Sequence, residues 1–196
     1  MIEVIPLGTG SAIPTRHRHL AGCALRREGR LFLFDCGEGT QLQLLRADLN
    51  RARLDAVFIT HLHGDHLYGL PGLITTLALL ERTKPLTVVG PGGLREIVTS
   101  LPGLARDWLP FEVQWVELEE GFEHAVVYES DACTVEARPL EHRVFCAGFR
   151  FQEKTRLGHI DGEKARAAGV TEGWQYEALK RRETITLADG TRLGPE

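Results

Sequence analysis

Residues Phe58 to Gly72 read FITHLHGDHLYGLPG, and three histidines and an aspartate fall within the six positions from His61 to His66, at the end of an apolar run. Polar groups at that density are costly to bury without partners. The pattern therefore demands a rigid scaffold that presents them from a loop at a strand end, where functional groups are commonly carried. His61 and His63 are two apart, so in an extended chain both imidazoles project to one side, and Gly64 lets the backbone fold back so that Asp65 and His66 face a neighbouring point. That supplies two ligands to each of two adjacent sites. Imidazole and carboxylate together suit zinc, ahead of manganese or iron. The alternative is a hydrogen-bonded polar loop, and the number of groups argues against it.

The rest of the chain reads as the required scaffold. IEVIPLGTGSAIP is a strand entering a glycine loop, and CALRREGRLFLFDCGEGT is two strands joined by a turn at Glu28-Gly29. GTQLQLLRADL has helical periodicity through Leu42, Leu45 and Leu49, and LDAVFIT is a short apolar strand. GLPGLITTLALLER is helical after its proline, PLTVVGP is a strand, and GGLREIVTSLPG is a helix closed by Pro-Gly. From Phe111 to Phe151 strands dominate. The expected class is α/β, with helices packed outside mixed sheets. Beyond Gln152 the chain is more charged, with a short helix, a second helical piece around Tyr176 to Arg181 and a terminal hairpin-like TITLADGTRL. It reads as a projecting arm or, alternatively, as a solvated α+β edge.

At 196 residues and 43% hydrophobic content, one substantial core is expected. A net charge of -4 lacks the basic surplus of a general electrostatic grip on nucleic acid, so any polyanion has to be met by local basic patches. Cys23, Cys36, Cys133 and Cys146 form no C-x-x-C pair and read as buried thiols of a cytosolic protein. The N-terminus has no signal-peptide pattern, and the longest apolar run, LPGLITTLALL, is too short to span a bilayer.

THLHGDH resembles the signature of the metallo-β-lactamase superfamily, whose fold is an αββα sandwich with a metal site at the edge of two sheets. LGTGSAIPT, FDCGEGTQ, ITHLHGDHLYGLPGL, VVGPGGL and RPLEHRVFCAGFRF resemble, in order and spacing, its tRNase Z (ribonuclease Z) branch. AAGVTEGWQYEALKRRETITLADG is similar to the arm of that branch, with Trp174 where a proline is expected. The resemblance implies residues 1–151 as the metallo-β-lactamase-fold core, 152–183 as a tRNA-binding arm and 184–196 as return strands. It implies a cytoplasmic, homodimeric, zinc-dependent endoribonuclease that removes the 3′ trailer of precursor tRNA, with two zincs per complete subunit. His61, His63 and His142 would hold one zinc. Asp65 and His66 would serve the second, and Asp65 would act on the attacking water.

PTRHRH resembles the loop P-x-K-x-R-N of that branch, with Arg16 in place of lysine and His19 in place of asparagine. Arg16 and Arg18 would contact RNA near the cut, and Lys154, Arg156, Lys180, Arg181 and Arg182 would contact it from the arm. Asp35 reads as a hydrogen-bonding support for the metal loop and Cys36 as a packed thiol. GTGS lacks the G-K-[ST] ending of a P-loop. The aspartate, glutamate and histidines that the resemblance places in later segments have no counterpart before Glu196. The chain is accordingly expected to lack the C-terminal third, to hold one metal well and a second weakly, and to cut precursor tRNA slowly or not at all. Two alternatives stay open: a hydrolase of small esters or cyclic phosphodiesters in the same superfamily, and a non-catalytic tRNA-binding module.

Overall fold

The computed structural model describes residues 1–104, 108–155 and 159–194. The chain divides into two compact units, 1–152 and 153–196.

The first unit is built on a six-stranded sheet in the order β1 (Ile2–Gly8), β2 (Gly22–Arg27), β3 (Arg30–Phe34), β4 (Leu54–Phe58), β5 (Leu86–Pro91) and β6 (Val113–Leu118). β1 to β3 pair antiparallel and β3 to β6 parallel. The β2–β3 turn falls at Glu28-Gly29, both with positive φ (47° and 77°), as a two-residue hairpin turn requires. Parallel strands need crossovers. These are α1 (Thr40–Arg46) with a 3₁₀ turn (Arg51–Arg53); α2 (Gly64–Leu67) with α3 (Gly69–Leu79); and α4 (Leu94–Thr99).

The strands are apolar on both faces, and their two-residue period sorts the side chains into two cores. Leu31, Leu33, Val57, Ile59, Leu86 and Val88 pack with the helices, against Leu44, Leu70, Leu73, Leu77 and Val98. Phe32, Ala56, Phe58 and Val89 point the other way, onto a three-stranded sheet of β7 (Ala125–Glu129), β8 (Cys133–Pro139) and β9 (Ala147–Glu153). An aromatic seam runs between the sheets. Phe34 stacks on Phe58 at 4.9 Å, Phe58 meets Phe149 at 5.3 Å, and Phe32 meets Tyr128 and Phe151 edge-on at 5.5 and 5.1 Å. Three layers of the expected sandwich are thus in place: helices, large sheet and small sheet.

Three local expectations are corrected. On α1 it is Leu44, with Leu49 beyond the helix, that enters the core, while Leu42 and Leu45 are each 52% exposed. α3 starts at Gly69, two residues before Pro71, because a first-turn N–H has no intrahelical acceptor and proline is tolerated there. Cys36 and Cys133 are buried thiols, but Cys23 and Cys146 are only half-buried, and all four are free.

In the second unit, Asp161 caps α5 (Gly162–Ala167) by accepting from the amides of Glu163 and Lys164, and α6 (Gly173–Lys180) opens on a Glu172/Gln175 capping box. The hairpin of β10 (Ile185–Thr186) and β11 (Arg192–Leu193) closes through Asp189-Gly190. Ala165, Val170, Ala178, Ile185 and Leu187 form a small core within this unit. Among the described residues no helix is long and apolar enough to cross a membrane.

Candidate metal centre

β4 ends at Phe58, and the chain beyond it carries the polar cluster at the carboxyl ends of the parallel strands. His63 is still extended (φ -71°, ψ 143°), and the chain then folds back through the short helix from Gly64. His142 arrives from the small sheet, on the loop between β8 and β9, closed by a bond from the Leu140 amide to the Cys146 carbonyl (2.8 Å). The ligand nitrogens of His61, His63 and His142 lie within 4.8 Å of one another, with His61 Nε2 3.1 Å from His63 Nδ1. Nitrogens sharing a tetrahedral zinc at ordinary bond lengths stand about 3.3 Å apart, so the three rings fit a single metal.

The tautomers follow from a count of protons. The Thr60 hydroxyl lies 2.9 Å from Asp35 Oδ1 and 2.9 Å from His61 Nδ1. Its one proton goes to the carboxylate, so it accepts from Nδ1–H, leaving His61 Nε2 unprotonated toward His63. Burial, followed by the neighbouring His66 and His63, lowers the pKa of His61, which favours the same neutral ring. Asp35 also accepts from the Thr60 amide (2.9 Å) and from His66 Nδ1 (2.8 Å). The bond to Asp35 raises the pKa of His66, and the His66 Nε2 faces Asp65 Oδ2 at 3.5 Å. For Asp65 burial pushes upward, but the Ala12 amide bond (2.8 Å) and the charge of His66 outweigh it and hold the carboxyl below its usual range.

This arrangement depends on interlocked loops. Cys36 N–H donates to His66 O (2.8 Å) and Gly69 N–H to Cys36 O (2.9 Å). A Cβ on Gly69 would overlap the Gly37 carbonyl, and one on Gly37 would overlap the Asp65 carbonyl. Asp35 itself takes a positive φ (58°), uncommon outside glycine, to turn its carboxylate toward Thr60 and His66. Burial raises the Cys36 thiol to about 12, so it is no nucleophile at neutral pH.

The site therefore brings together His61, His63, Asp65, His66 and His142, with Asp35 behind them. Sequence reasoning overlooked Thr60 and the Ala12 amide. A threonine before His61 carries no signal by itself, and a backbone donor carries none at all. Arg16 and Arg18 are exposed on the loop that Ala12 ties to Asp65, and neither has an ion-pair partner among the described residues. In the second unit, Lys180 pairs with Glu177 (2.8 Å) and Arg181 with Glu183 (3.1 Å). Lys154 is half-buried, Arg182 lies exposed beyond α6, and Arg156 lies outside the described residues.

A protein-family model described as the anti-Pycsar protein Apyc1 matches residues 2–142. The ribonuclease Z of Salinibacter ruber is 49% identical over 195 residues, covering 99% of this chain and 61% of that protein. The short form of human tRNase Z superposes with a TM-score of 0.72 at 30% identity, covering 92% of this chain and 83% of that one. A metallo-β-lactamase-fold protein of Bacillus subtilis, YhfI, shares the fold at a TM-score of 0.60 and 18% identity. The chain spans about three fifths of the length of the curated relatives it matches.

Proposed function

We propose that this chain, which belongs to the ribonuclease Z family of metallo-β-lactamase-fold proteins, acts as a zinc-dependent endoribonuclease that removes the 3′ trailer from precursor tRNA. The observation that carries this reading is the reach of the ribonuclease Z match through the second unit, to 99% of the chain, whereas the Apyc1 model ends at residue 142. An arm is of use to an enzyme with a large folded RNA as substrate, and of little use to one acting on a small phosphodiester.

His61, His63 and His142 would hold the principal zinc, and Asp65 with His66 would begin a second, weaker site. When bound, the metal acts as a Lewis acid toward the phosphodiester and acidifies water. The remaining steps belong to the chain. Asp65 stays ionised at neutral pH, and the Ala12 amide fixes its Oδ2, leaving Oδ1 to orient the attacking water and take its proton. The water oxygen bonds to phosphorus as the P–O3′ bond breaks. The leaving 3′ oxygen takes up a proton from solvent, and Asp65 releases to solvent the one it accepted, so the tRNA departs with a 3′-hydroxyl and the trailer keeps the 5′-phosphate. Arg16 and Arg18 would hold backbone phosphates beside Asp65, and Lys154, Arg156, Lys180, Arg181 and Arg182 would grip the tRNA from the second unit. We place the enzyme in the cytoplasm as a homodimer, for which the exposed Leu42 and Leu45 offer apolar surface.

The test is cleavage of a precursor tRNA by the zinc-loaded chain, alongside bis(p-nitrophenyl) phosphate. Asp65→Asn should retain the zinc of the triad yet lose about 10²-fold or more in cleavage rate, and His63→Ala should lose both metal and cleavage. RNA binding that survives His63→Ala, with no zinc-dependent cleavage by the parent, would establish the non-catalytic module instead. Turnover of the small diester with none of the tRNA would establish the small-substrate hydrolase.

A further inference from the structure

On its His63 side the metal centre opens into a cavity of about 440 Å³ lined by Leu62, His63, Pro91, Leu118, Glu119 and Phe145. Pro91 and Leu118 are the last residues of β5 and β6, so the cavity lies at the carboxyl ends of the strands, where open parallel sheets place ligands. Its volume is in the range of small-ligand sites. The wall is mostly apolar. The half-buried Phe145 ring is set by Phe122, whose ring lies 5.7 Å away at 40°. Glu119 closes one side, where the lack of a side chain on Gly92 leaves room for its carboxylate: a Cβ there would stand 3.2 Å from Oε2.

Charge decides what such a cavity can accept. Glu119 and its neighbour Glu120 both line it, and two carboxylates beside a phosphodiester-processing centre repel phosphate. The backbone phosphates are better placed at Asp65, where the Ala12 amide ties in the loop bearing Arg16 and Arg18. The cavity suits the part of a nucleotide that is flat, uncharged and largely apolar, with N–H donors at its edge. A nucleobase meets each condition, and base–aromatic contact needs only a ring such as Phe145. Adenine, cytosine and guanine carry an exocyclic amino group that a carboxylate can accept from. Uracil flanks its single N–H with two carbonyl oxygens that face a carboxylate unfavourably.

We infer that this cavity holds the base of a nucleotide flanking the scissile phosphodiester, with Phe145 as its apolar wall and Glu119 accepting from the exocyclic amino group. Glu119 is thereby a specificity-determining residue, and the inference rests on the nuclease reading above.

Calorimetric titration of the zinc-loaded chain with AMP, CMP, UMP and ribose 5-phosphate separates the two claims. AMP and CMP should bind about tenfold tighter than UMP, as expected for one hydrogen bond to a charged acceptor. Glu119→Gln, at an exposed position, should bring the three nucleotides to equal affinity. Phe145→Leu should weaken all three and leave ribose 5-phosphate unchanged. Equal binding of all four compounds by the parent chain overturns the inference while the metal-centred reading stands. An AMP preference that survives Glu119→Gln overturns the role of Glu119. Failure of every compound to bind overturns the inference, while the nuclease reading stands or falls on cleavage of the precursor tRNA.

Discussion

The Asp35 carboxylate and the His66 imidazole meet at 2.8 Å, and the same carboxylate accepts from the Thr60 hydroxyl that fixes His61. One side chain outside the proposed ligand set thus orients two rings within it. Asp35→Asn should keep the fold but lower zinc affinity about 10- to 100-fold, the usual cost of losing such a partner. Competition against a chelating dye measures it. An unchanged affinity would show that loop packing alone holds the rings.

Gly69→Ala should destabilise the chain by about 1–3 kcal/mol, because the new methyl has to displace the Gly37 carbonyl rather than a movable side chain. Gly173→Ala is the control: a Cβ there meets nothing within 4 Å. Urea denaturation of both variants reports the difference, and equal midpoints would mean that the two loops can separate at little cost.

These contacts mark the limit of what the sequence made legible. The strand and helix order is readable because apolar runs of strand length alternate with helical periods, and His61, His63, Asp65 and His66 are readable as candidates because they fall within six positions. The period through Leu42 and Leu45 does not mark the buried face, because QLQLLR carries leucines at 42, 44 and 45 and the helical period fits two faces. Packing of the large sheet and helices around Leu44 selects one of them. His142 has no local signal: an isolated histidine becomes a candidate ligand only when the small sheet folds over the large one. Asp35 was readable as a support, but its link to His61 through Thr60 needs coordinates.

Tyr128 gives a pH dependence whose sign can be worked out. Burial between the sheets, with Asp55 nearby, raises its hydroxyl from an ordinary 10.0 to about 12. A folded-state value above the unfolded one means that its stabilising effect is complete below about pH 10 and is lost as pH rises toward 12. The parent chain should lose stability across that window more steeply than Tyr128→Phe, as followed by chemical denaturation at a series of pH values. Parallel curves would show that the hydroxyl ionises without disturbing the sheets.

Arg16→Gln combined with Arg18→Gln should weaken binding of precursor tRNA and reduce the slope of log affinity against log salt by up to about 2, one per lost phosphate contact. Filter binding between low and moderate salt measures both quantities. Zinc content should not change, since neither side chain belongs to the ligand set. An unaltered slope would remove this loop from the RNA path.

The three histidines come from different layers: His61 and His63 follow a strand of the large sheet, and His142 precedes a strand of the small one, whose Ala147 amide bonds to Thr60 O at 2.9 Å. A metal held by all three is therefore a rivet through the mouth of the sandwich. Prising the sheets apart requires the metal to let go, so occupancy adds to folding stability in proportion to the logarithm of free zinc over its dissociation constant. Amides of β8 and β9, far along the chain from His61, should exchange with deuterium more slowly once zinc is bound, and metal supply would set how long the folded chain survives.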